Sequence, residues 1–183
     1  MNKFKANLLT ESLIETSPGG GTTLPGVLAR LSCDAVEMFP ALRPHQGPSW
    51  HMFLVQLAAL ALHHAGRVSI PERESEWHDL LRSLSPSFAN SEPWHLVVDD
   101  WSKPAFMQPP VPPEVKIATA VAAPDELDLL ITAKNHDLKR SAGRPGTAQD
   151  WIFALVSLQT SEGYGGSGNH GIARMNGGSS SRP

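Results

Sequence analysis

The last 21 residues of the chain, 163 to 183, are rich in glycine and limit where a hydrophobic core can form. Seven of them are glycine, which has no side chain to bury. We therefore expect an α+β core over residues 1–162, followed by a glycine-rich segment over residues 163–183. Glycine also permits positive φ, so the backbone N–H groups of this strip could lie against a phosphate or the edge of a base.

A glycine- and serine-rich end is also typical of a disordered tail or a linker. Against that interpretation, larger side chains recur among the glycines, namely Tyr164, His170, Ile172, Arg174 and Met175. The strip is not an ATPase-type phosphate loop, because it lacks the Gly-Lys-Ser/Thr ending and follows a predicted helix, not a strand. Nucleic-acid contact and a disordered tail both stay open on these residues alone.

Charge is distributed unevenly along the chain. The formal net charge is −3 and the isoelectric point about 6.2, so no overall field attracts the protein to nucleic acid. Residues 134–183 nevertheless carry a local charge of +3. We therefore expect any nucleic-acid contact to come from this segment. The lone cysteine, Cys33, excludes an internal disulfide and a cysteine-based zinc site, which predicts a reducing, cytoplasmic location.

No segment has the pattern of a signal peptide or a membrane span. Acidic residues come too early for a signal sequence. The longest apolar stretch, residues 52–62, is too short to cross a bilayer. We therefore expect no membrane partner.

The spacing of apolar residues predicts an α+β fold, a single irregular domain with several helices and a few short strands. Residues 3–16 and 22–28 read as extended segments, separated by a turn at 17–21, with the second running into a short helix. The main helix is expected over 50–65, and its buried stripe would comprise Phe53, Leu57, Leu60 and His64.

Two further helices are predicted after the main helix. One covers residues 75–84, with Ser75 as its N-cap, and the other covers residues 150–160. Between them, residues 93–113 are dominated by proline and aromatic residues, which argues against regular structure.

The sequence contains no recognisable catalytic constellation. Eight histidines are present, but the adjacent pair His63 and His64 point in different directions on a helix, and no His-Glu-x-x-His motif occurs. No Gly-x-Ser-x-Gly elbow marks a nucleophile. We therefore expect no catalytic residue, no metal site and no cofactor, and we predict that the protein is not an enzyme.

Two internal strings carry more information than their neighbours. Residues 103–110 present Phe106 and Met107 in a proline-fixed segment that suits packing into the core or docking. Residues 132–140 mix cations, an amide and an imidazole, a composition that suits phosphate and single-stranded base contacts but also an ordinary solvated loop.

Five strings, in order, resemble one known family. They are an opening Asn-Leu-Leu at 7–9, a leucine- and alanine-rich helix at 57–62, Phe-Met-Gln at 106–108, a loop around Asn135, and Gly-Tyr-Gly-Gly at 163–166. This order resembles the large subunit (CasA family) of the type I-E CRISPR surveillance complex Cascade. The resemblance covers most of residues 7–183 and corresponds to the N-terminal portion of those proteins.

The resemblance implies a non-catalytic subunit of an RNA-guided complex. Such subunits recognise the protospacer-adjacent motif (PAM) of double-stranded target DNA through a glycine-rich loop in the minor groove, and they contact the 5′ handle of the guide RNA. They help to start strand separation and recruit a separate helicase-nuclease. The implied partners are guide RNA, double-stranded DNA, other Cascade subunits and that helicase-nuclease.

The residues that match these roles fall into two groups. The implied DNA-contacting residues are Gly163, Tyr164, Gly165, Gly166, Ser167, Gly168, Asn169 and Arg174. The implied RNA-contacting residues are Lys134, Asn135, His136, Lys139 and Arg140.

The chain departs from the family in several places. Residues 12–15, Ser-Leu-Ile-Glu, stand where the family has Trp-Ile-Pro. Family members also continue into a helical bundle, so this chain would be either a fragment or a shortened subunit. A protein-interaction scaffold with a disordered C-terminal tail is the main alternative function, and a hydrolase or nuclease is the third.

Overall fold

The structure is a computed structural model that describes residues 6–116, 121–127 and 146–161. Within those ranges it contains four α-helices and a two-stranded antiparallel sheet, which confirms the predicted α+β class. The helices are α1 (Leu24–Ser32), α2 (Gly47–His64), α3 (Glu74–Ser83) and α4 (Ala148–Ser161). The strands are β1 (Ile14–Thr16) and β2 (Gly20–Thr22), and short 3-10 turns occupy Pro44–Gln46, Glu92–Trp94 and Pro124–Glu126.

The first extended segments are shorter than the sequence predicts. The two strands pair Ile14 with Thr22 and Thr16 with Gly20 around the expected turn. Residues 24–28, predicted to be extended, are helical instead. The reason is local, because the Thr23 hydroxyl accepts a hydrogen bond from the Gly26 N–H at 3.0 Å and proline follows in the first turn.

The predicted buried stripe of the main helix is wrong in part. Leu60 is 55% exposed and His64 is exposed, whereas Ala61 is fully buried. Phe53 is buried as expected, and Leu57 is half-buried against the core. Apolar residues surround most of α2, so their spacing alone does not identify the face that packs inward.

Aromatic side chains from four parts of the chain form the centre of the core. The Trp50 ring on α2 lies 5.0 Å from Phe153 on α4 and 5.7 Å from Phe39, both edge to face. Phe53 stacks on Trp50 and meets Phe106 at 5.7 Å. Phe106 is only 3% exposed, so the centre of the proline-rich string at 103–110 packs into the core, which is one of its two predicted roles.

Helices α1 and α3 form the second layer of packing. The Thr23 hydroxyl donates to the Glu74 carboxylate at 2.6 Å, and Trp77 and Leu81 of α3 are buried. Helix α3 begins at Glu74 after Arg73, so the prediction of Ser75 as its N-cap is wrong. Gly26 lies where α1 meets Glu74, and a Cβ there would come within 3.2 Å of the carboxylate.

Neighbouring residues on α2 provide a test of the observed register. We expect Ala61→Asp to prevent soluble folding, because a charge at a fully buried position costs several kcal/mol. Leu60→Asp should remain soluble, because its side chain reaches water. Soluble yield and thermal melting of the two variants measure the difference. A soluble Ala61→Asp with a native melting temperature would contradict the register.

Candidate functional site

Three segments distant in sequence lie side by side near the N-terminus of the chain. The Leu8 N–H donates to the Trp94 carbonyl at 2.9 Å, and the Leu96 N–H donates to the Ala6 carbonyl at 3.0 Å. On the other side, the Phe106 N–H donates to the His95 carbonyl at 2.8 Å. Residues 94–96 therefore form the middle of a three-segment layer.

Asn7 fixes the turn that begins this layer. Its side-chain oxygen accepts from the Leu9 N–H at 2.8 Å, while its own N–H donates to the Glu11 carboxylate at 2.9 Å. Its amide nitrogen lies 3.0 Å from Nε2 of His95, to which it donates. The Leu8 carbonyl accepts from the Leu24 N–H, which links the layer to the start of α1. An amide side chain suits this position because it both accepts and donates.

The Phe-Met-Gln string forms a tight turn on the outer side of the layer. The Ala105 and Gln108 backbones pair with each other, and Met107 between them has a φ of 55°. The Gln108 side chain donates to the Leu96 carbonyl at 3.0 Å. The Met107 carbonyl accepts from the side-chain amide of Gln159 at 2.7 Å, and Gln159 is only 1% exposed.

This last hydrogen bond connects the turn at 105–108 to the final turn of α4. Helix α4 is described as far as Ser161, two residues before the glycine-rich strip begins at Gly163. The same helix packs into the core through its buried residues Ile152, Phe153 and Val156. The end of α4 is therefore held both by apolar packing and by a buried hydrogen bond.

The residues predicted to contact nucleic acid lie outside the described part of the chain. This holds for Gly163, Tyr164, Gly165, Gly166, Ser167, Gly168, Asn169 and Arg174. It holds equally for Lys134, Asn135, His136, Lys139 and Arg140. Their roles stay predictions.

A polar cavity of about 180 Å³ lies beside the middle segment, and the sequence analysis did not anticipate it. Its lining includes Glu92, His95, Asp100 and Lys103. The Lys103 ammonium lies 2.9 Å from the Glu92 carboxylate. These residues belong to an irregular stretch without periodicity, so no sequence signal predicted that they would meet.

The charges in this cavity stabilise one another. The hydrogen bond from Lys103 lowers the pKa of Glu92 to about 2, and the same contact raises the pKa of Lys103. Hydrogen bonds from Ser102, including one from its hydroxyl at 2.6 Å, lower the pKa of Asp100. The lowered pKa values keep the Glu92 and Asp100 carboxylates ionised, and Glu92 holds the Lys103 ammonium.

Within residues 6–116, 121–127 and 146–161, no group of three or more His, Cys, Asp or Glu side chains is arranged to hold a metal ion. Among the helices in these ranges, none is long and apolar enough to cross a membrane.

No protein-family model, no curated protein and no solved structure matches this chain. The resemblance described above therefore stays a prediction.

The Glu92–Lys103 pair predicts how stability depends on pH. The pKa of Glu92 falls from 4.5 to about 2 on folding, so its contribution is complete above pH 4.5 and is lost as the pH falls toward 2. Urea unfolding at several pH values measures this. The free energy of unfolding of the native chain should exceed that of Glu92→Gln above pH 4.5, and the difference should disappear as the pH falls toward 2. The exposed Glu15→Gln serves as a control. Parallel curves for the native chain and Glu92→Gln would contradict this role.

Proposed function

We propose that this chain is a cytoplasmic, non-catalytic subunit of an RNA-guided CRISPR surveillance complex. In this function it recognises the PAM of double-stranded DNA and contacts the 5′ handle of the guide RNA. Recognition enables R-loop initiation and recruitment of a helicase-nuclease that acts in trans. Other subunits of the complex are the remaining partners.

The observation that carries the proposal is the buried hydrogen bond between Gln159 and the Met107 carbonyl. A loop that reads DNA needs a fixed base, because each mobile residue that binding must order costs free energy. Here the helix preceding the strip is attached to the Phe-Met-Gln turn, and that turn is attached to the segment paired with residues 6–8. Two strings of the family resemblance thus connect to the helix that precedes the third in the sequence.

The glycine-rich strip suits the proposed contact for a steric reason. The minor groove is narrow, and its pattern of donors and acceptors is degenerate. In this function residues 163–169 bring backbone close to the base edges, while Arg174 contacts a phosphate. Base pairing with the guide then supplies most of the sequence discrimination.

Guide-RNA binding is assigned to residues 134–140. Lys134, Lys139 and Arg140 would neutralise phosphates of the handle, and Asn135 and His136 would add hydrogen bonds. Lys134, Lys139 and Arg140 are three of the six lysine and arginine residues in the segment 134–183.

The first experiment tests membership of a ribonucleoprotein. The chain is expressed with the other subunits and a guide RNA, and the purified assembly is analysed for short RNA. Recovery of guide RNA in a defined assembly supports the proposal. Assembly with proteins but without RNA favours the alternative function of an interaction scaffold, for which an apolar groove described below is the specific observation.

Gly166→Asp tests the DNA contact. The substitution adds bulk and a negative charge facing phosphates, so duplex target binding should fall about ten-fold or more. Guide-RNA assembly and single-stranded target binding should stay near native, because neither needs the groove. Ser179→Asp, closer to the end of the strip, is the charge-matched control and should change little. Equal duplex binding by the two variants, measured by gel shift, would contradict the groove role.

Replacing Lys134, Lys139 and Arg140 together by alanine tests the RNA contact. Association with the guide-bearing complex should weaken, and its salt dependence should become shallower, because fewer counterions are released. A binding titration across salt concentrations measures the slope. An unchanged slope would exclude a phosphate contact by these side chains.

A further inference from the structure

An open apolar groove lies on the side of α2 that faces α1 and α3. Its volume is about 470 Å³, and its walls and floor include Leu28, Leu31, Leu54, Val55, Ile70 and Trp77. Leu28, Leu54 and Trp77 are buried and form the floor. Leu31, Val55 and Ile70 are 38%, 53% and 64% exposed and form the rim. Exposed apolar side chains grouped around a groove are typical of an interaction site.

The groove is held open by hydrogen bonds on its rim. The Trp77 indole N–H and the Ser32 hydroxyl both donate to the Pro71 carbonyl, at 2.9 and 2.7 Å. These bonds fix the loop that carries Ile70 against α1 and α3. A partner therefore meets a preformed surface, which lowers the entropic cost of binding.

The shape of the groove favours a helix as its occupant. Residues of α2 line it from Gly47 to Leu62, a length of about 20 Å or four helical turns. Its walls are mainly helices whose backbone groups are paired internally, so they offer no sheet edge to an extended peptide. A small-molecule site usually places a few polar groups so that they converge on the ligand. Here the polar lining side chains are Ser32, whose single hydroxyl hydrogen is taken up by backbone carbonyls, and His51, which is exposed.

The charges near the groove define the chemistry of the partner. Asp34 and Glu37 follow the C-terminus of α1, and Glu72 follows Pro71 on the rim loop. All three are exposed, and none forms an ion pair within the described part of the chain. The nearby Arg67 and Arg73 both bind Glu76, at 3.2 Å, so this cluster keeps one positive charge against the three exposed carboxylates. The carbonyl end of α1 adds further negative potential.

We infer that this groove binds an amphipathic helix of a partner protein, with the apolar face of that helix against Leu31, Val55 and Ile70 and with lysine or arginine residues beside Asp34, Glu37 and Glu72. A second copy of this chain is a poor occupant. It would bring the same exposed carboxylates, and no lysine or arginine among the described residues lines its groove to pair with them. The inference is independent of the proposed nucleic-acid function.

The test uses a fluorescein-labelled 18-residue amphipathic helix of leucine and lysine, titrated with the full chain and followed by anisotropy. A peptide with glutamate in place of every lysine is the comparison. The leucine-lysine peptide should bind at least about ten-fold more tightly. Equal binding of the two peptides would overturn the inference.

Two valines of equal exposure allow a matched comparison. Val55 in the groove and Val97 outside it are both 53% exposed. Val55→Glu should weaken peptide binding by about ten-fold even though it adds a charge attractive to lysine, because it places a carboxylate on the apolar wall. Val97→Glu should leave binding within about two-fold. Circular dichroism melting establishes that both variants fold, and equal effects of the two would overturn the inference.

The role of the exposed carboxylates near the groove is tested by combining Asp34→Asn with Glu72→Gln. Asparagine suits the positive φ of residue 34, which is 55°. The double variant should bind the leucine-lysine peptide several-fold more weakly and with a shallower dependence on salt. An unchanged affinity would overturn the assignment of a basic partner. Sedimentation showing a native dimer that Val55→Glu converts to a monomer would overturn it in favour of self-association.

Discussion

The contact between Trp50 and Phe153 is the interaction on which the rest of the described structure depends. It joins α2 to α4, and the Trp50 ring also meets Phe39 and Phe53. Each such aromatic pair contributes about 0.5–1.5 kcal/mol beyond the burial of its area. The only sheet within the described residues has two strands of three residues. A sheet of that size is marginal by itself, so helix packing has to stabilise the domain.

The sequence predicted which segments are helical more reliably than which faces they bury. The helices at 50–65, 75–84 and 150–160 all exist with small shifts at their ends. In α2 the predicted stripe included Leu60, which is exposed, and omitted Ala61, which is buried. Burial of α2 depends on Phe39 and Phe153, and their positions are set by tertiary packing that periodicity does not encode.

The turn at Thr23 shows a different limit of sequence analysis. The sequence analysis predicts an extended segment over residues 22–28 that runs into a short helix. The cap on Gly26 and the contact with Glu74 stabilise a helix there instead. The capping threonine followed closely by proline was the available signal, and it indicates the start of a helix.

Of the candidate site, the sequence identified strings but not their contacts. Asn7, Phe106 and the end of α4 were each noted separately, yet the hydrogen bonds that connect these segments join residues many positions apart. The amide of Gln159 is the clearest example, because a glutamine in an apolar helix carries no mark of its partner. Its burial is explained in part by the Met107 carbonyl, which accepts a hydrogen bond from the amide N–H of Gln159 and belongs to a residue with a positive φ.

The central aromatic cluster also determines how the two proposed surfaces can be separated by mutation. Trp50 lines the apolar groove and contacts Phe153 on the helix that precedes the glycine-rich strip. Truncation of Trp50 would leave a large cavity in the core. It would therefore disturb both the groove and helix α4. Substitutions at exposed positions such as Val55 avoid that coupling, because they leave the aromatic contacts in place. Loss of helix binding without loss of duplex binding is then informative, since the groove and the helix that precedes the strip share one aromatic core.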